Sequence, residues 1–292
     1  HQLFDNVRGD GVRLITNSTG AESALGASYL SLEDDGFDYG SSTFTSNNFV
    51  GWGWKAGGSG VSNTDGSITS TVSVGATSQQ NWFSIVSYTG DGTVASGSNV
   101  GHGLGRKPDA IIVKDRSSAV NWNAWFNSFT GSQVIYPNLT NARNSDANVW
   151  SATEPTSSVF YVGNGEVNAS SNNYIAYCFA NAENLCRVGS YTGNGSTDGP
   201  MIYTGHRPAL LLIKRTDATN NWHLVDSERD TFNVVDATLY PNLSNSEATT
   251  TTADFLSNGF KIRASGNFAN ASGGTYIYLA IAEQPFKYAN AR

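Results

Sequence analysis

The first chemistry this sequence offers lies in its charged pairs. Asp5 and Arg8 stand three positions apart, and so do Asp226 and Arg229. A carboxylate and a guanidinium at that spacing can clamp a polar ligand or close on each other as an ion pair. The chain supplies its own control: counting 100 positions back from Asp226 and Arg229 lands on Phe126 and Phe129. Both charges are exchanged together for aromatic rings, as a structural ion pair would be, since one charge left alone in an interior is costly. The pairs are therefore expected to hold structure.

Other chemistry-bearing types are scattered. The four histidines, His1, His102, His206 and His223, form no His-x-x-x-His or paired metal spacing. No Gly-x-Ser-x-Gly elbow supports a serine nucleophile, and Gly193–Gly199 lacks the Gly-Lys-Ser/Thr ending of a phosphate loop. Asp91-Gly92, Glu33-Asp34-Asp35-Gly36 and Thr197-Asp198-Gly199 offer oxygen ligands for Ca²⁺ but have no EF-hand length, and read as tight turns. No catalytic residue, metal site or cofactor is expected. Cys178 and Cys186 cannot complete a zinc site alone. Two buried reduced thiols are the reading, with a disulfide between them as the alternative. Six Asn-x-Ser/Thr sequons, at Asn17, Asn138, Asn168, Asn194, Asn242 and Asn270, are what an Asn-, Ser- and Thr-rich chain produces by chance.

Aromatic residues beside amides are the remaining candidates. Trp122 and Trp125 sit in SSAVNWNAWFNS, and Trp222 with His223 in TNNWHLVD. Flat apolar faces next to directional hydrogen-bonding groups suit sugar rings, so these four residues are the candidate ligand contacts. Against that, Trp122 and Trp222 lie 100 positions apart, and tryptophans that recur in a repeat suit a core.

The elements that must position these residues come in repeats. Val188–Lys214 reads VGSYTGNGSTDGPMIYTGHRPALLLIK, and Ser84–Lys114 carries the same order: a strand ending in Ser-Tyr-Thr-Gly, a Gly-rich turn, a Gly-x-x-Pro step, then apolar residues and a lysine. Tyr88 and Tyr191 are 103 positions apart, Lys114 and Lys214 are 100, and Tyr136 and Tyr240 are 104. A period near 100 is a whole domain rather than a solenoid coil. Residues 1–22 match the middle of the same unit, with Leu3, Asp5 and Arg8 standing for Leu224, Asp226 and Arg229. The chain thus reads as beginning inside a unit.

Each unit closes on a near-continuous apolar run: Phe49–Trp54, Tyr174–Phe179 and Tyr276–Ile281. Such runs suit a strand buried on both faces. The expected fold is all-β, with tandem β-sandwich domains of jelly-roll or lectin-like type. The expected divisions are 1–57 as the back half of a unit, 58–81 as a linker with one strand at Ile68–Val74, 82–183 as a unit, and 184–292 as a unit with a C-terminal tail.

Composition agrees with this. Aromatics make up 12% and charged residues only 14%, which favours a folded, turn-rich β protein over disorder. A net charge of −7, with no run of basic residues, argues against a nucleic-acid partner. No stretch approaches the roughly 18 apolar residues of a membrane span, and no signal peptide is read at the N-terminus.

Several long phrases resemble one family in order. HQLFDNVRG (His1–Gly9), DDGFDYGS (Asp34–Ser41), FVGWGWKAGG (Phe49–Gly58), VGHGLGRKPDAIIVKDRS (Val100–Ser117), FLSNGFKIR (Phe255–Arg263) and GGTYIYLAIAEQPFKYANAR (Gly273–Arg292) are similar to a module of virion and tail-fibre proteins of tailed phages, especially marine phages of cyanobacteria. The resemblance spans the chain. It implies a non-enzymatic virion structural or fibre protein, located on the particle surface or tail, that assembles with other virion subunits or attaches to a host; it brings no catalytic residues. A homo-oligomer is expected, a trimer if the protein is a fibre, covering strand edges left open by the partial first unit. The alternative is a carbohydrate-binding module or a depolymerase acting on host surface glycans. A depolymerase needs two carboxylates about 5–10 Å apart, and Asp5/Asp226 and Glu22/Glu247 recur as repeat features rather than forming one such pair.

Overall fold

Alternation of side chains across a strand lets one apolar run serve two cores at once, and this protein uses the device throughout. The computed structural model describes residues 1–34, 36–40, 48–75, 81–94 and 97–282. Among them are 23 strands and one four-residue helix. The fold is all-β, as expected.

The first unit contributes β1 (Gln2–Leu3), β2 (Val12–Ile15) and β3 (Ser23–Ala24), which form one small sheet, and the pair β4 (Ser31–Leu32) and β5 (Phe37–Asp38). Next come β6 (Val61–Asn63) and β7 (Ser70–Val74). The second unit runs β8 (Phe83–Thr89), β9 (Asn99–Gly101), β10 (Ala110–Asp115), β11 (Asn123–Phe126), β12 (Gln133–Val134), β13 (Asn144–Ser145), β14 (Val159–Tyr161), α1 (Gly165–Asn168) and β15 (Asn173–Phe179). The third runs β16 (Cys186–Thr192), β17 (Met201–Tyr203), β18 (Pro208–Arg215), β19 (Trp222–Asp226), β20 (Val235–Thr238), β21 (Ala248–Leu256), β22 (Gly259–Ile262) and β23 (Thr275–Ala282).

Strand order repeats with sequence. The third unit has a sheet ordered β16-β23-β18-β19 facing a second ordered β17-β22-β21-β20. The second unit orders β8-β15-β10-β11 in the same way and extends the sheet beyond β8 with β7 and β6. All these pairs are antiparallel.

The turn after each Ser-Tyr-Thr-Gly strand is built identically. Tyr88 and Tyr191 donate their hydroxyls at 2.7 Å to the carbonyls of Val167 and Ala269. Their rings stack on Tyr174 and Tyr276 at 5.0 and 4.9 Å. The glycine that ends each strand is required by close approach: a Cβ on Gly90 would run into the Ala169 carbonyl, and one on Gly193 into that of Ala271.

β23 shows how the units join. Tyr276, Tyr278 and Ala280 point into the third unit's own sandwich, with Leu211, Ile213, Phe255 and Phe260. Ile277, Leu279 and Ile281, on the opposite face, join a second core that reaches through the middle unit to Leu14 of the first. Each of these three side chains contributes about 1.5–3 kcal/mol on burial, so the back face of this sheet helps to bind the units together while the front face closes one of them.

Two expectations need correction. The 58–81 segment contains two strands rather than one, because β6 pairs with β7 and continues the middle sheet. The closing run Phe49–Trp54 joins no ladder. In the other units the closing strand lies between β8 and β10, or β16 and β18; among the described residues of the first unit no strand pairs with Phe49–Trp54. The tail after Ala282, and Asp35 of the Glu33–Gly36 turn, lie outside the described residues.

Candidate functional site

The four residues singled out as sugar platforms are buried. Trp122, Trp125, Trp222 and His223 are 2, 1, 2 and 4% exposed, so none offers a face to a ligand in this structure. Their Asn-rich neighbourhood, which suggested a polar site, holds the backbone instead. Asn138 Oδ1 accepts from the Trp122 N–H at 3.0 Å and Asn242 Oδ1 from the Trp222 N–H at 2.9 Å. The same asparagines donate to Asn121 and Asn221 at 3.0 and 2.9 Å.

Two of the tryptophans form seams between units. The Trp122 indole Nε1–H reaches the carbonyls of Ser18 at 3.1 Å and Ile15 at 3.3 Å in the first unit. The Trp222 indole reaches the Tyr136 carbonyl at 3.1 Å in the second. Ile15 and Tyr136 occupy equivalent places, each two residues before the asparagine of RLITNST and VIYPNLT. Beside each indole a backbone bond repeats as well: Glu22 N–H to Arg116 O at 3.0 Å, and Arg143 N–H to Thr216 O at 2.8 Å. Trp125 is different, facing its own unit's core with its indole donating to Thr130 O at 3.2 Å and Lys107 Nζ 5.5 Å from the ring centre. His223 lies between Phe268, stacked at 4.3 Å, and Tyr240, edge-on at 4.9 Å.

Charged pairs take the next layer of the seams. Arg8 Nε meets Asp5 Oδ2 at 2.6 Å with both side chains buried, and Tyr177 of the second unit donates its hydroxyl to the same Asp5 oxygen at 2.7 Å. Arg229 and Asp226 close at 2.7 Å, with Arg229 also holding Glu247 at 2.7 Å. Phe126 and Phe129, at the equivalent positions of the middle unit, pack edge-on at 5.9 Å in the core they share with Leu279. Leu279 stands in its closing strand where Tyr177 stands in its own. A polar seam thus has Tyr177 against Asp5/Arg8, while Leu279, Phe126 and Phe129 all belong to one apolar core. The third meeting, between first and third units, brings Trp52 to within 5.8 Å of the Arg229 guanidinium and Thr16 Oγ1 to 3.0 Å from the Pro241 carbonyl.

Titratable groups are drawn into this framework. Burial pushes His102 and His206 down to about 4 and His223, with further repulsion from Lys214, to about 3. His102 accepts the Leu104 N–H at Nδ1, at 3.2 Å, which places its proton on Nε2 facing the Thr156 carbonyl at 3.3 Å. Burial also lowers the repeated lysines Lys114 and Lys214 to about 8; each ammonium is held by carbonyls of its own strand end, Asp115 O and Arg215 O. Cys178 and Cys186 are free, buried thiols, and burial raises Cys178 to about 12. Burial alone would raise Asp91, but hydrogen bonds from Ser98, Thr93 and Asn168 outweigh it and hold the carboxyl low, as a turn would. Among the described residues no three His, Cys, Asp or Glu side chains come together to hold a metal ion.

The sequons also serve the frame. Asn138, Asn168, Asn242 and Asn270 are buried. Asn168 and Asn270 accept the Asp91 and Asn194 N–H groups at 3.0 and 2.8 Å and so fasten the turns after the Ser-Tyr-Thr-Gly strands. What sequence reasoning missed is an exposed aromatic group in the first unit, Phe37, Tyr39, Phe49 and Trp54. Its signal was available: these positions align with core residues of the other units.

Fold and contacts together define an all-β protein whose sheets are joined by buried indoles, ion pairs and a common apolar core. The chain belongs to the family described as a domain of unknown function, DUF7483, which it matches over residues 1–285. No curated protein and no solved structure matches it.

Proposed function

We propose that this protein is a non-enzymatic structural module of a phage virion or tail fibre, presenting β-sandwich units for subunit assembly or host attachment. One observation carries the reading most: the side chains best suited to ligand chemistry, Trp122, Trp222, Asp5 and Arg8, are committed to contacts between units. A chain that invests its aromatic and ionic groups in this way gains a stiff, multivalent body. The threefold association expected between fibre chains also has a counterpart inside one chain, where each of the three units touches both others. Resemblance of the sequence to phage tail-fibre modules supports the location.

The test is immunogold electron microscopy with antibodies raised against the purified protein, applied to particles of a phage whose genome encodes it. Label on the tail, fibre or shell supports the proposal. Unlabelled particles, with the protein confined to the infected cell, would contradict it.

A further inference from the structure

The second and third units differ along one side of the sandwich. In the third, β17 pairs only with β22 and β16 only with β23, so each strand ends its sheet. Pro200 O accepts the Ile262 N–H and Asn258 O accepts the Thr204 N–H, both at 3.0 Å. Alternation along the strand then turns the N–H and C=O groups of Met201 and Tyr203 outward. On β16 the same count, taken from the Gly193 N–H bonded to Gly274 O at 2.8 Å, turns out those of Val188, Ser190 and Thr192. Val188 is answered by the second unit: Asn181 Oδ1 accepts its N–H at 2.6 Å and Asn127 Nδ2 reaches its carbonyl at 3.3 Å. The outward groups of Ser190, Thr192, Met201 and Tyr203 meet no partner among the described residues.

In the second unit the equivalent side is closed by residues 66–74. Pairing opposite Phe160 and Phe260 makes Asn99 and Gly101 the counterparts of Met201 and Tyr203. Ser67 Oγ accepts the Asn99 N–H at 3.0 Å, the Ile68 N–H reaches Asn99 O at 3.0 Å, and Ser70 Oγ donates to Gly101 O at 2.8 Å. From Ser70 to Val74 the same run becomes β7 and pairs with β8, the counterpart of β16. One segment thus seals both sheet edges. Under it Tyr88 is 3% exposed, whereas its counterpart Tyr191 is only partly buried. Met201 and Tyr203 are 44 and 67% exposed.

We propose that this open side of the third unit, Ser190–Thr192 with Met201–Tyr203, is a docking edge for an extended segment of another polypeptide. The segment is of the type Gly66–Val74, with Ile and Val at alternate positions, Ser and Thr between them, and pairing through the backbone. A Cβ on Gly101 would run into Asn63, and Tyr203 stands there in the third unit, so the occupant's path matches only from Gly66 onward. The edge continues an established interface, because the second unit already holds β16 at Val188. The chain's own approach to β16 turns back instead of covering it, with the Ala182 N–H bonded to Cys186 O at 3.0 Å. A second copy has its residues 66–74 seated on its own second unit. A lipid surface would leave the outward N–H groups without acceptors.

A synthetic peptide of residues 66–74 titrated into the 292-residue protein tests this, with amide hydrogen exchange read residue by residue by NMR. The expected result is saturable one-to-one binding that slows exchange at least tenfold at Ser190, Thr192, Met201 and Tyr203 and leaves Asn99 and Gly101 unchanged. The same peptide N-methylated at Ile68, which lacks the donor that meets Asn99 O in the second unit, binds at least tenfold more weakly to the unaltered protein. Tyr203→Pro weakens binding as much, by removing an outward N–H at an edge position where proline is tolerated. Phe232→Ser, at a residue 84% exposed on the same unit, changes nothing. No binding at millimolar peptide overturns the proposal, as does protection confined to the second unit or equal binding of the N-methylated peptide. A concentration-dependent dimer that Tyr203→Pro returns to monomer also overturns it, by making a second copy the occupant, and so does glycan binding that Tyr203→Ser abolishes.

Discussion

The Trp222 indole donates its proton to the Tyr136 carbonyl at 3.1 Å, across the line where the third unit meets the second. One hundred positions earlier, Trp122 makes the same gesture toward Ile15. A repeated residue that reaches into the preceding unit is an assembly device, and the consequences below follow from treating it as one.

Trp122→Ala and Trp222→Ala should each cost about 3–5 kcal/mol, the range for emptying an aromatic side chain from a packed interior. Urea unfolding followed by circular dichroism reads this directly. Trp125→Ala should cost a similar amount but act within the second unit alone. If either seam tryptophan could be removed for less than about 1 kcal/mol, it would not be part of a seam.

The polar seam should be exchangeable for apolar packing. Arg8→Met leaves Asp5 buried with only Tyr177 and backbone donors near it, and should cost about 3–5 kcal/mol as a broken buried pair. The triple variant Asp5→Phe, Arg8→Phe, Tyr177→Leu copies Phe126, Phe129 and Leu279 and should recover most of that loss. A triple variant less stable than Arg8→Met would show that the two are not equivalent.

How much of this could be read from sequence is instructive at these same residues. The joint replacement of Asp226/Arg229 by Phe126/Phe129 marks an ion pair, and the structure has one. All-β class follows from the alternating and doubly apolar strands. The seams were hidden because a closing run such as Tyr174–Phe179 is apolar on both faces, and the run alone does not say that its back face meets another unit. Trp122 misled because asparagines around it look like a polar site, whereas their amides satisfy its backbone. β6 lay in a Gly- and Ser-rich stretch whose strand character comes only from pairing with β7.

Acid should loosen the fold through its histidines. His102, His206 and His223 sit at about 4, 4 and 3 in the folded chain against about 6.5 unfolded. A depressed histidine favours folding fully above the unfolded value, and that advantage falls as pH drops from about 6.5 toward 4. Scanning calorimetry should therefore show Tm declining between pH 6.5 and 4.5, with protons taken up on unfolding. A flat Tm across this range would contradict the burial of these rings.

The thiols should be silent until the protein opens. Cys178 and Cys186 are buried and unbonded, with Cys178 held near 12, so little thiolate exists at pH 8. A chromogenic disulfide reagent should titrate no thiol in the native protein and two in denaturant. Prompt reaction of either in the native state would place it at the surface.

One measurement bears on the central claim most directly. If buried seams and a core running from Leu14 to Ile281 make the units one body, unfolding in urea should be a single transition. Tryptophan fluorescence and far-ultraviolet circular dichroism should coincide, and limited proteolysis below the midpoint should release no stable fragment cut near residues 81 or 183. Separate transitions, or a resistant fragment matching one unit, would show that the units stand independently and that the seams do not hold them.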